Sequence, residues 1–124
     1  MAILSKVSKP GHPKSHNSLM VSFSIIRGLR TNFLDCESFL LSQSPDILAL
    51  CETNLDDSID SNHFTVNGYL PLIRKDSSTH MHGLGLFVKE NLPFARDSSL
   101  ESSENSYMCF RLALLNSTSY FFFL

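Results

Sequence analysis

The sequence predicts an α/β fold in which a strand–helix–strand start is followed by antiparallel strands in a mixed sheet. Three observations lead there. An alternating stretch around Val21 to Ile25 is followed by apolar residues at helical spacing, and then by the continuous apolar run Ile47-Leu48-Ala49-Leu50-Cys51. Short β-prone segments separated by turn residues fill the remainder.

The first strand begins near Leu19. Val21, Phe23 and Ile25 alternate with Met20, Ser22, Ser24 and Ile26, giving one apolar and one mixed face before Gly28 ends it. The helix that follows has Thr31 or Asn32 as its expected cap and Asp35 in its first turn, with Phe33, Cys36, Phe39 and Leu40 on one face. Ser42 to Pro45 stops it. The run 47–51 has the composition of a strand covered on both faces. Strand, helix and strand make a βαβ unit, whose strands should be parallel.

After Glu52 the polar stretch Asn54 to Asn62 is expected to form a loop or short helix, and Asn67-Gly68 a turn. Further strands are expected at Leu70–Arg74, Leu84–Lys89 and Tyr107–Leu114, the last with Met108, Phe110, Leu112 and Leu114 on one face. Asn116 to Ser119 reads as a turn into a final strand, Tyr120–Leu124. The helix followed by successive short strands places the chain in the α/β or α+β class.

Residues 1–18 read as a flexible basic tail, since Pro10, Gly11, Pro13 and scattered Ser, Lys and His leave no apolar periodicity. Charge is uneven. No acidic residue precedes Asp35, whereas Lys6, Lys9, Lys14, Arg27 and Arg30 do; all 12 acids and the other five bases come later. A basic leader can contact phosphate backbones, but charge alone favours the plainer reading, a solvated tail ahead of a slightly acidic domain. The composition, 43% hydrophobic and 18% charged, is that of a globular protein and not of a disordered one. No apolar run is long enough for a membrane span or secretory signal, so the expectation is an intracellular protein, nuclear or cytoplasmic, without a membrane partner. Cys36, Cys51 and Cys109 form no close pair and are read as small buried hydrophobes.

Chemistry concentrates at Glu52. The segment D-I-L-A-L-C-E-T-N-L (Asp46 to Leu55) delivers a carboxylate to the C-terminal end of a buried strand, where ligands bind in open α/β sheets. A carboxylate there suits Mg²⁺, a hard cation that polarises phosphoryl oxygens and activates water. Spacing alone favours the plainer reading, a carboxylate that ends a strand in solvent. His80-x-His82 reads as a loop pair, His12 and His16 as tail residues, Asn116-Ser117-Thr118 as a turn. The acidic run Asp56, Asp57 and Asp60 lacks the alternation and central glycine of a calcium loop.

Three blocks in order carry a resemblance. They are S-I-I-R-G-L-R-T-N-F (Ser24 to Phe33), L-A-L-C-E-T-N-L (Leu48 to Leu55) and H-G-L-G-L-F-V-K-E-N-L (His82 to Leu92). Together they resemble the endonuclease/exonuclease/phosphatase superfamily, in particular the apurinic-type endonuclease domain of non-LTR, jockey-like retrotransposon polyproteins. The resemblance covers Leu19 to the end, so residues 19–124 would be the N-terminal half of such a domain, a truncated two-sheet α/β sandwich.

The resemblance implies a Mg²⁺-dependent hydrolase that nicks DNA to prime reverse transcription. It makes Glu52 the catalytic, metal-binding glutamate and sets Gly83 and Gly85 on a small-residue strand near the site. It also shows a departure: Ile25 stands where the family has asparagine. The family's later catalytic parts, an Asp-x-Asn pair and a terminal Ser-Asp-His, have no counterpart before Leu124, which implies inactivity of the chain alone. Half a sandwich would leave Met108, Phe110, Leu112 and Phe121–Phe123 on an uncovered sheet face and promote self-association. Two other functions stay open: a non-catalytic nucleic-acid-binding or protein-interaction module, and a phosphomonoesterase relative.

Overall fold

The computed structural model describes residues 2–7, 19–77, 82–101, 107–114 and 117–123, with side chains for 19–77, 82–101 and 107–113. Two sheets and one long helix make three layers. The first sheet has five strands in the order β1 (Ala2–Val7), β2 (Val21–Ile25), β3 (Ile47–Cys51), β5 (Leu84–Val88) and β4 (Ile73–Lys75). The second has three, β6 (Phe94–Arg96), β7 (Met108–Leu114) and β8 (Ser117–Phe123).

The βαβ start is present: β2 and β3 are parallel, Val21 opposite Ile47 and Ile25 opposite Cys51, and α1 (Leu29–Gln43) connects them. Every later pairing is antiparallel. Helix α1 buries Leu29, Cys36 and Leu40 and ends where Ser44, in the left-handed region, donates its N–H to the Leu40 carbonyl at 3.0 Å. Pro45 disfavours helical backbone at Ser44 and so fixes that stop.

Burial on both faces explains the apolar run of β3. Leu48 and Leu50 point to the helix layer with Ile26, Leu29, Cys36, Leu40 and Phe87. Ile47 and Ala49 point the other way, with Leu84, Leu86 and Val88 against Met108, Phe110 and Leu112 of the second sheet. Phe87 is fully buried, and its replacement by alanine would cost about 3–5 kcal/mol.

Five expectations are corrected. Helix α1 starts at Leu29 with Gly28 as its cap; neither Thr31 nor Asn32 caps it, and Asp35 lies beyond the first turn. Within the supposed tail, the backbone of Ala2–Val7 is an edge strand antiparallel to β2, an arrangement that needs backbone partners and not apolar periodicity. The strand expected at Leu70–Arg74 is Ile73–Lys75, since Pro71 has no N–H to give a ladder. Residues 117–119, expected in a turn, belong instead to β8, which begins at Ser117.

The fifth concerns the exposed face. Met108, Phe110 and Leu112 are buried, because the strand pair β6–β7 folds back on the first sheet and covers it. These residues therefore offer no surface for self-association. The side chains of Phe121–Phe123 lie outside the described residues, as do His12, His16 and His80. On β2 the mixed face is the more deeply buried one, with Ser22 and Ser24 under the helix layer beside Leu48 and Leu50. No helix among the described residues is long and apolar enough to cross a membrane.

Candidate active site at the C-terminal ends of β2 and β3

Glu52 follows the last residue of β3, half-buried, with its backbone in the left-handed region at φ 56°. Non-glycine residues there cost about 1–2 kcal/mol, and Arg27 (φ 52°) and Asn54 (φ 56°) share the condition. Hydrogen bonds on two sides hold the turn in place. Towards β2, Ile26 N–H donates to Cys51 O at 3.0 Å, Gly28 N–H to Glu52 O at 2.9 Å, and Leu29 N–H to Thr53 O at 2.9 Å. Towards β5, Thr53 N–H donates to Gly83 O at 3.3 Å and Asn54 N–H to His82 O at 2.9 Å. Arg27, Glu52 and Asn54 thus gather left-handed backbone at the ends of β2 and β3.

Asn32 locks the other half of the turn. Its amide donates to Ile26 O at 2.9 Å and to Gly28 O at 3.1 Å, tying the helix back to the end of β2. No side chain caps α1, and its first-turn residues Arg30 and Thr31 line an open cleft of about 430 Å³ with Arg27, Gly28, Thr53 and Asn54. The cleft is thus cationic, next to a helix N-terminus, and its neighbour along the chain is the Glu52 carboxylate.

Thr53 is fully buried and its hydroxyl has no hydrogen-bond partner among the described residues. The two glycines of the third sequence block surround it. A Cβ on Gly83 (φ 110°) would lie 2.5 Å from Thr53 Oγ1, and one on Gly85 would lie 3.3 Å from Thr53 Cγ2 and 3.2 Å from Leu72 Cδ1. The H-G-L-G pattern is therefore a packing requirement of the residue that follows Glu52.

A second, smaller cavity of about 290 Å³ adjoins the cleft through Arg30 and is otherwise lined by Phe33, Ile59, His63 and Phe64. The loop forming its wall is held from β4. Arg74 donates to Asp56 O at 2.7 Å, to Ile59 O at 2.6 Å and to Ser61 Oγ at 3.2 Å, and pairs with Asp76 at 2.6 Å. Asp60 accepts from Asn62 N–H at 2.9 Å and caps the 3-10 turn Ser61–Phe64. Ser58 hydrogen bonds, aided by Arg30 and Arg74, hold the exposed Asp56 carboxyl below its usual range.

The chain's fit to a divalent cation is limited. Glu52 is a hard oxygen donor, and its charge, after burial, helps to raise the Cys51 thiol. No group of three His, Cys, Asp or Glu able to hold a metal occurs among the described residues. Ile25, paired in register with Cys51, brings an apolar side chain to the neighbouring strand end. His82 is exposed and contributes its carbonyl to the turn, while Cys36 and Cys109 are buried in the core. The residues present do not amount to a metal site by themselves. The sequence singles out Glu52 as the candidate and offers Asn32 only as a helix cap; Thr53 and Asn54 are not singled out, although both stand in the E-T-N block.

No protein-family model matches the chain, and no curated protein matches its sequence. Solved structures do match its fold. An AP endonuclease from Archaeoglobus fulgidus superposes with a TM-score of 0.54 at 18% identity, over 82% of this chain and 39% of that one. A 3′ phosphatase from Neisseria bound to product DNA hairpin gives 0.53 at 13% identity, over 81% and 39%. A 3′-5′ exonuclease from Neisseria meningitidis gives 0.52 at 14% identity, over 81% and 39%. The chain thus spans well under half the length of these structures, and at such identities the likeness is one of architecture. These 124 residues carry a portion of the endonuclease/exonuclease/phosphatase-type α/β sandwich fold.

Proposed function

We propose that the chain is part of a retrotransposon-type, divalent-metal-dependent DNA endonuclease domain, and that these 124 residues alone are catalytically inactive. One observation carries the reading: Glu52 follows β3 in left-handed backbone, and its chain neighbours Thr53 and Asn54 line a cleft together with Arg27 and Arg30. The nuclease architecture and the three sequence blocks support it. In this reading the DNA backbone follows the cleft, with phosphates against the two guanidiniums, and Glu52 is the carboxylate directed at a Mg²⁺ ion. Arginine recognises phosphate by charge and by its forked donors. The ligand set supports inactivity, since no group of three potential metal ligands occurs among the described residues and Ile25 supplies no donor atom.

A non-catalytic nucleic-acid-binding module is the second reading, favoured by the same arginine pair without need of a metal. Incubation with supercoiled plasmid and Mg²⁺, followed by electrophoresis, tests the first. The expected result is no nicking above background, identical for Glu52→Ala. Metal-dependent nicking abolished by that substitution would overturn the claim of inactivity. Binding to a DNA duplex that weakens with salt and in an Arg27→Ala/Arg30→Ala variant supports both readings; binding that ignores either change removes both.

A further inference from the structure

We infer that the cavity beside the arginine cleft takes an unpaired nucleobase, whose phosphate lies against Arg30. The inference rests on the DNA reading of the cleft and adds a substrate class, single-stranded or locally unpaired nucleic acid.

Four features of the cavity fit that occupant. It is lined by flat groups: Phe33 and Phe64 meet edge to face with ring centroids 5.4 Å apart, and the exposed His63 ring and the Arg30 guanidinium complete the rim. Aromatic and guanidinium planes are the surfaces on which bases stack. At about 290 Å³ it sits at the low end of ligand-sized cavities, fit for a single planar ring system. Arg30 lines both cavity and cleft, so one cation would meet a phosphate while its neighbours meet the attached base. Arg30, which also interacts with the Asp56 carboxylate, is the charge that would single out a phosphate-linked ring from a neutral apolar group.

The wall is also preformed. Phe64 is buried, Asp60 caps its 3-10 turn, and Arg74 grips the Asp56 and Ile59 carbonyls. Little ordering is left for the ligand to impose, which favours affinity.

The test is fluorescence anisotropy with a short labelled oligodeoxythymidine and with the same strand carrying abasic tetrahydrofuran residues. The full chain is compared with His63→Ala, at an exposed position, and with Phe33→Leu, which keeps apolar volume; circular dichroism checks that both fold. The expected result is binding about tenfold tighter for the base-bearing strand. That advantage should fall to about twofold in each variant, with abasic-strand affinity and salt dependence unchanged. Equal binding of the two strands by the unmodified chain would overturn the base pocket and leave the phosphate cleft intact. A base preference that survives in folded variants would overturn its location. Failure of both strands to bind at low salt would remove the cleft reading and this inference together.

Discussion

A Cβ placed on Gly83 would stand 2.5 Å from the Thr53 hydroxyl oxygen, so the turn after β3 and the segment entering β5 meet as closely as glycine permits. With φ at 110°, Gly83 is also in backbone that other residues avoid. Gly83→Ala should destabilise the fold by about 1–3 kcal/mol. Adding Thr53→Ala should recover the steric part and leave the backbone part. Urea denaturation of the two single variants and the double variant measures the split; strictly additive losses would show that the contact is not the cause.

Thr53 taken alone gives an opposite expectation. Its hydroxyl is buried without a partner among the described residues, and an unmade hydrogen bond there costs roughly 1–3 kcal/mol. Thr53→Val, which keeps the shape, should therefore raise the denaturation midpoint or leave it unchanged. A loss above about 1 kcal/mol would mean that the oxygen is satisfied in solution.

Arg74 should behave as a clamp on the loop before the 3-10 turn. Arg74→Met keeps the apolar stem and removes the bonds to the Asp56 and Ile59 carbonyls. Limited proteolysis should then cut near residues 56–61 well before global unfolding, while the original chain stays intact there. Arg74→Lys should not rescue, because one ammonium cannot reproduce the planar fork.

Acid should weaken the junction of the two sheets. Glu101 accepts from Arg96 at 2.9 and 2.8 Å and from Cys109 N–H at 3.0 Å, with Lys75 3.7 Å away. The Arg96 hydrogen bonds hold its carboxyl below the ordinary value of 4.5, against the opposing effect of burial. A lowered folded-state pKa adds stability above the unfolded value, lost as pH falls through the folded one. Stability should thus decline from about pH 4.5 downward, and Glu101→Gln should flatten that part of the profile.

Thiol chemistry supplies an independent check of packing. Burial, aided by the Glu37 charge, pushes the Cys36 thiol up to about 12, and burial raises Cys109. Neither should react with an aromatic disulfide reagent at neutral pH except at the rate of opening, whereas the half-buried Cys51 should react first. Prompt labelling of all three in the native protein would contradict the core described above.

The sequence was most legible where burial imposes a period. The run at 47–51, the helix face of Cys36 and Leu40, and the strand at 84–88 all announce themselves, because each must present apolar groups to one or two layers. The helix start was not legible, since Gly28 and Leu29 give their N–H groups to Glu52 and Thr53 and not to a local side chain. The edge strand Ala2–Val7 needs only backbone pairing and leaves no such period. Covering of Met108, Phe110 and Leu112 depended on how the second sheet folds back, a tertiary outcome. At the proposed site, a place directly after a buried strand is what singles out Glu52 in the sequence. Arg74 is not legible in this way, because a side chain bonding to carbonyls 15 and 18 residues away leaves no spacing signal.

The strand order has a consequence for how the chain assembles. Strand β5 lies between β3 and β4 although β4 precedes it in sequence, and β4 pairs with β5 alone among the described residues. During synthesis, Ile73–Lys75 leaves the ribosome with no neighbour to join, while β2, α1 and β3 can already pack. Only after Leu84–Val88 emerges can β4 dock and Arg74 reach the loop beside the cavity. The rim of that cavity is therefore completed late, by a segment translated well after the residues it shapes.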